Sequence, residues 1–278
     1  IQLLVVGLSL GSFVVFSVIG YEPRGFLGSH SYPRLLALPS VLGVPIGTNG
    51  LAPVALPAAI GAVVFAAHAD HRWVRLLWIV LGLAPTAVIV VGSRDGTVGL
   101  MVGLLVLVLT WRVSGWSRVA IAMSIAAVAA LVAVAAFRQD PSFTSRLSLW
   151  AGALDYCFRY PLAWPPFGSF ARLLPLIGVM HSPVLTVHNT LLQVLVDFGP
   201  IGLVATVAAV FNSLLGAGRA GARGGPRERQ LLIAGFLAVL VALLVEGGSE
   251  SALVSAIRFE GKEYVLNGIL QIEGTTVA

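Results

Sequence analysis

Three residues of this 278-residue chain have types suited to handling a phosphate ester: Arg94, Arg146 and His188. A guanidinium holds phosphate oxygens through charge-assisted, often bidentate hydrogen bonds. An imidazole is the natural general base near neutral pH. Arg94 lies in Ser93-Arg-Asp-Gly-Thr97, and Arg146 follows Thr144-Ser145 at the expected opening of a helix. His188 precedes Asn189-Thr-Leu-Leu-Gln-Val-Leu-Val-Asp197, in which Asn189 can cap a helix. Taken singly, each has a purely structural reading as loop charge, headgroup contact or hydrogen-bonding anchor. Brought to one face of a membrane, the three are what a reaction at a lipid-linked diphosphate requires.

Competing chemistries are poorly supported. Gly216-Ala-Gly-Arg-Ala-Gly221 matches GxGxxG, but that fingerprint needs a strand before it and a helix after it, and here it follows an apolar span. His68-Ala-Asp70-His71 lacks a third or fourth metal ligand. Gly99 and Gly103 form GxxxG within a span, for which close helix packing is a sufficient reason. The single cysteine, Cys157, excludes an intrachain disulfide and a Cys-based metal site. No acidic pair suggests a glycosidase, and no metal or other cofactor is expected.

The elements that must position Arg94, Arg146 and His188 are membrane helices. The chain is 58% apolar and only 10% charged, with a mean hydropathy of +0.95. A soluble domain carries roughly 25% charged residues, so this composition excludes a soluble enzyme, a disordered chain and a disulfide scaffold. A helix needs about 20 apolar residues to cross the hydrocarbon core. Seven runs fit or nearly fit: Ile1–Tyr21, Leu51–Ala67, Leu76–Ser93, Gly96–Trp111, Val119–Phe137, Phe198–Gly218 and Gln230–Val245. Backbone groups in lipid must pair within their own segment, so all seven are expected as helices.

The arginines orient these spans. Gly216–Gln230 holds Arg219, Arg223, Arg227 and Arg229 against Glu228 alone, which marks a cytoplasmic loop. Alternating back along the chain puts Arg112 and Arg118 on that side, then Arg72 and Arg75, so each loop assigned to the cytoplasm is basic. The formal net charge of +5 is then explained without nucleic acid. The other side collects Tyr21–Gly50, the turn Ser93–Thr97 and the long segment Arg138–Val187, with Arg24, Arg34, Arg94, Arg138, Arg146, Arg159 and Arg172. Outward arginines run against the positive-inside tendency; solvated loop charge or headgroup contact is one reason for them, and an anionic ligand presented at the outer face is the sharper one.

Within the long segment, Thr144 or Ser145 can cap a helix that runs to about Arg159 and stops at Pro161. Leu147, Trp150, Ala151, Leu154 and Phe158 recur at helical spacing on one face, and Asp155 and Arg159 can pair on the other. A stiff stretch, Pro161-Leu-Ala-Trp-Pro-Pro-Phe-Gly168, follows, so the whole reads as an amphipathic helix and a lid on the membrane surface. Seven aromatics between Trp150 and Phe170 suit an interfacial belt, with one or two available to stack on sugar rings.

The run His188-Asn-Thr-Leu-Leu-Gln-Val-Leu-Val-Asp-Phe-Gly-Pro-Ile-Gly-Leu203 resembles the HN…L…(E/D)xGxxGL signature of O-antigen ligases and related polymerases. Ser145-Arg-Leu-Ser-Leu-Trp150 resembles that family's Arg-containing helix start, and Ser93-Arg94 its outer-mouth Ser-Arg. The resemblance covers about residues 85–246. It implies an all-α, GT-C-like bundle of about seven spans in the bacterial inner membrane. The implied activity is metal-independent transfer of a glycan from an undecaprenyl diphosphate carrier to a hydroxyl of a glycan, lipid or protein acceptor at the outer face. By the same resemblance Arg94 and Arg146 hold the diphosphate, and His188 activates the acceptor or assists the leaving group. A polymerase, a protein transferase and a flippase of lipid-linked substrate are the alternatives. The expected organisation is 1–137 N-terminal helices, 138–187 external loop, 188–246 C-terminal helices and 247–278 a polar tail. The chain departs from the family in three ways. It has fewer spans, consistent with a partial chain; Trp164-Pro-Pro-Phe-Gly168 stands where the family has Gly-x-Gly; and Glu250, Arg258, Glu260, Lys262, Glu263 and Glu273 interrupt the place of a final span.

Overall fold

The computed structural model describes residues 2–18, 48–113, 115–137, 141–159 and 189–249. They form eight helices and no strand: α1 (Gln2–Val18), α2 (Thr48–His68), α3 (Arg72–Gly92), α4 (Arg94–Thr110), α5 (Trp116–Phe137), α6 (Pro141–Arg159), α7 (Thr190–Ala222) and α8 (Arg227–Ser249). Every expected span falls on a helix. By length and composition α3, α7 and α8 can cross a membrane over Arg72–Val90, Thr190–Ala222 and Arg227–Gly248. The apolar parts of α1, α2, α4 and α5 are shorter, at Gln2–Ser12, Ala52–His68, Asp95–Thr110 and Trp116–Val132.

The core lies where α2, α3, α4 and α8 meet, around Leu56, Ile60, Ile89, Val106, Leu237 and Val241. Outward surfaces carry Leu83, Val108, Leu131, Ile201 and Val204, as a lipid-facing bundle requires. Close approach of α4 to α8 depends on the GxxxG pair. A Cβ at Gly99 would stand 2.8 Å from the Ala242 carbonyl oxygen, and one at Gly103 would stand 2.9 Å from that of Ala238. Small residues drive helix association in membranes because lipid tails offer no hydrophobic gradient between helices. Gly103→Val is therefore expected to push the two helices apart, with overpacking costing about 1–3 kcal/mol or more. Size-exclusion profile and Tm would show it, against Gly216→Ala as control, since nothing lies within 4 Å of that position.

Three boundaries differ from expectation. The long basic loop is mostly helix: α7 runs to Ala222 and leaves only residues 223–226 as linker, so the GxGxxG match lies inside a helix. Apolar content ends at the membrane, whereas backbone hydrogen bonding carries the helix on into water. α7 breaks at Gly199, whose φ of 69° favours glycine, and restarts with Pro200. The part after the break, about 34 Å long at 1.5 Å per residue, matches the hydrocarbon core. Finally, α6 starts at Pro141, so Thr144 and Ser145 lie inside its first turns and do not cap it. Proline is well suited to a first helical position because its missing N–H would have had no partner there.

The helices have two distinct ends. His68 Nε2 is 3.6 Å from Glu228 Oε1, and the Gly218 backbone rests on the Trp116 ring, so the arginine-rich connections gather at one end. The α3–α4 turn and the C-terminus of α8 form the other, here called the far end. Cysteines at positions 94 and 223, introduced as Arg94→Cys and Arg223→Cys on a Cys157→Ser background, are expected to label from opposite sides of intact cells. Labelling from the same side would overturn the topology. Burial pushes the Cys157 thiol above its ordinary 9.0, so in the parent chain it should react with maleimide more slowly than an exposed cysteine. That gap should narrow as the pH rises through the shifted value.

Candidate active site

The far end is assembled from four chain segments, beginning with a turn of one residue. Ser93 N–H donates to the Ile89 carbonyl at 2.8 Å and closes α3, while Ser93 Oγ accepts from Gly96 N–H at 2.9 Å and opens α4. Thr97 Oγ1 donates to the Ser93 carbonyl at 2.7 Å and secures the turn. The expected turn Ser93–Thr97 is thus mostly helix, because Ser93 satisfies the first free donors of α4. Arg94 becomes the first residue of α4, and Asp95 sits in its first turn, where the helix dipole favours a carboxylate. The Arg94 side chain lies outside the described part of the structure.

Asp95 reaches the second segment. Its Oδ2 is 3.3 Å from Nη1 of Arg146 on α6, with side chains 24% and 23% exposed. Arg146 shares a face of α6 with Leu149 and Ala153, which are buried, and α6 packs on α7. The expected apolar stripe of Leu147, Ala151, Leu154 and Phe158 is exposed, and Trp150 is half-buried. α6 therefore has two apolar sides: a narrow one toward the bundle and a wider one available to lipid. The expected Asp155–Arg159 pair is present at 2.9 Å.

The third and fourth segments are the start of α7 and the end of α8. Asn189 caps α7 as expected, with Oδ1 accepting from Leu192 N–H at 3.0 Å. Its Nδ2 donates to the Gly248 carbonyl at 2.8 Å, and a Cβ at Gly247 would stand 2.8 Å from Thr190 Oγ1. The chain segment directly following His188 is therefore fastened to the end of α8, and that end packs on α4 through Gly99 and the Glu246 Cβ. His188, His181, the Pro161–Gly168 lid, Arg24, Arg34, Arg138, Arg172 and the tail from 250 on lie outside the described residues.

Three polar groups here were not singled out in the sequence. Gln193 is fully buried and its Nε2 donates to Asp197 Oδ2 at 2.7 Å, one helical turn on. Glu246 is 1% exposed. Asp95 is the ion-pair partner of Arg146. The available signals were the i,i+4 spacing of Gln193 and Asp197 and a glutamate directly ending an apolar run. The far end thus gathers the buried Asp197 and Glu246, the Asp95–Arg146 ion pair and the first residue of α4.

His68, one of the candidate ligands in His68-Ala-Asp70-His71, has Glu228 as its neighbour. Among the described residues no group of three His, Cys, Asp or Glu is placed to hold a metal ion.

No curated protein and no solved structure matches the chain. The family model described as O-Antigen ligase matches residues 79–207, from within α3 to the second part of α7. That segment contains Ser93, Arg94, Asp95, Arg146, His188, Asn189 and Asp197. Over residues 79–207 the chain is thus similar to O-antigen ligases, and its long apolar helices are those of a membrane protein.

Proposed function

We propose that the protein is a GT-C-like glycosyltransferase that moves a glycan from an undecaprenyl diphosphate carrier to an acceptor hydroxyl at the outer face of the inner membrane. The basic end faces the cytoplasm by the positive-inside tendency, which puts the far end outside. The observation that carries the reading is the Asp95–Arg146 contact, which ties the start of α6 to the turn bearing Arg94. The Asn189–Gly248 hydrogen bond, with the packing of α8 on α4, brings the segment next to His188 toward the same end.

In the proposed step His188 takes the proton of the acceptor hydroxyl as its oxygen bonds to the anomeric carbon. The bond from that carbon to the diphosphate oxygen breaks, and undecaprenyl diphosphate leaves with the electron pair. Negative charge grows on the leaving group, and Arg94 and Arg146 offset it. Preorganised positive charge at such a position lowers the barrier because no solvent has to reorient.

A flippase would need charge near the middle of its spans. Among the described residues the buried charged ones, Arg118, Asp197 and Glu246, stand near a helix start, beside the Gly199 break and near a helix end. That distribution favours chemistry at a surface. The test is release of undecaprenyl diphosphate from a labelled lipid-linked glycan by the purified protein, with glycan, lipid or protein acceptors added in turn. Acceptor-dependent release supports transfer and identifies the acceptor class. Carrier movement across a vesicle without release would replace the reading with transport.

A further inference from the structure

The basic end has a pocket of its own. Trp111 caps the C-terminus of α4, and two guanidiniums lie over its indole ring. Arg112, the next residue, is 5.1 Å from the ring centroid, and Arg227, the first residue of α8, is 5.2 Å from it. The two positive charges are therefore within about 10 Å of one another. Neither has a carboxylate partner among the described residues. Carboxylates are scarce here: residues 68–75, 111–118 and 219–230 hold eight arginines against Asp70 and Glu228, and Glu228 faces His68.

Trp111, Arg112, Arg227 and Gln230 line a pocket of about 420 Å³. Gln230 Oε1 is buried and has no hydrogen-bond donor among the described residues. A buried acceptor left without a donor is costly, and a ligand that donates there would relieve that cost. An anionic ligand suits the pocket, since two guanidiniums converge on one ring. Leading away from the pocket, α4 exposes Leu105, Val108 and Leu109, and α8 exposes Leu232 and Phe236. An indole at a membrane interface lies at headgroup depth.

We propose that this pocket binds a glycerophospholipid headgroup of the cytoplasmic leaflet. The phosphate is held by Arg112 and Arg227, a headgroup hydroxyl donates to Gln230 Oε1, and the acyl chains lie along the exposed strips of α4 and α8. Phosphatidylglycerol has all three features. Phosphatidylcholine has the phosphate but no headgroup donor, and free phosphate has no use for the apolar strips. The site is at the opposite end from Arg146 and stands independently of the proposed transfer reaction.

The test is native mass spectrometry of the delipidated, detergent-purified protein titrated with phosphatidylglycerol or phosphatidylcholine of the same acyl chains. Phosphatidylglycerol is expected to bind about tenfold more tightly. The double variant Arg112→Gln/Arg227→Gln should lose about tenfold or more in that affinity, and Gln230→Leu should narrow the preference between the two lipids to what the net charge of phosphatidylglycerol alone supplies. Arg229→Gln, on the same end but outside the pocket lining, should change neither. Millimolar inorganic phosphate should not displace the lipid. Equal binding of both lipids by the wild type, or full binding by the double variant, would overturn the site. Displacement by inorganic phosphate would reassign it to the free anion. The wild-type comparison decides the matter even where a variant fails to fold.

Discussion

Replacing His188 by alanine is expected to abolish glycan transfer while expression, helix content and donor binding stay at the wild-type level. A positioned general base contributes about 10²–10⁴-fold to a rate, so turnover should fall to the limit of detection. Donor binding should survive because the proposed mechanism assigns it to the arginines. His181→Ala, in the same external segment, is the internal control and should leave transfer unchanged. The competing idea is that His188 anchors its segment through a hydrogen bond. His188→Gln separates the two, since glutamine keeps donor and acceptor groups but cannot take a proton. Rescue by glutamine would support the anchor; loss with both variants supports the base. A base must be neutral to act, so wild-type activity should also fall on the acid side as the imidazole takes up a proton. Asn189→Ala tests the framework itself. It removes the α7 cap and the link to Gly248, and a lost cap costs about 1 kcal/mol. Its main effect should therefore be on Tm. Full transfer activity in folded His188→Ala would refute the mechanism.

The helices were legible in the sequence because a membrane imposes a length requirement on each span, and α3, α7 and α8 meet it. About 20 apolar residues are needed, and no internal packing detail changes that. The grouping of Arg72, Arg112 and Arg223 at one end was legible for the same reason, since loops alternate sides. Helix ends were less legible. Hydropathy reports where lipid stops, whereas a helix stops where its terminal N–H and C=O groups find other partners. Ser93 supplies those partners within a single residue, so α4 takes in Arg94 and Asp95 although charge marked them as turn. The same logic carries α7 through Arg219. The second face of α6 was not legible for a different reason. Periodicity finds the apolar stripe of Leu147, Ala151, Leu154 and Phe158, which stays exposed, but not the tertiary neighbour that buries Leu149 and Ala153 on the other side. Asp95 was out of reach altogether as a partner for Arg146, because 51 residues separate them and only the tertiary arrangement joins them.

Arg146→Ala is expected to weaken donor use tens- to hundreds-fold, and Asp95→Asn is expected not to. The two variants together decide what the ion pair is for. A charge-assisted hydrogen bond to a phosphate oxygen contributes about 1.5–3 kcal/mol, and about 1.4 kcal/mol is a factor of ten. The 3.3 Å contact with Asp95 is only partly buried, and a pair of that kind contributes about 1 kcal/mol or less. If holding Asp95 were the whole role of Arg146, Asp95→Asn would reproduce Arg146→Ala. If Arg146 instead binds diphosphate, the Asp95 carboxylate is the group that holds the guanidinium in place before the donor arrives and repels the donor once it does. Asp95→Asn then loses some preorganisation but relieves that repulsion, so donor affinity should stay level or rise. Arg146→Lys should fall between wild type and alanine, because an ammonium keeps the charge and loses the planar fork. The measurement is the donor concentration dependence of undecaprenyl diphosphate release for all four proteins, with Tm recorded alongside. Parallel losses in Asp95→Asn and Arg146→Ala would reduce Arg146 to a structural partner. A loss confined to the Arg146 variants, with Tm unchanged, would place its guanidinium on the donor.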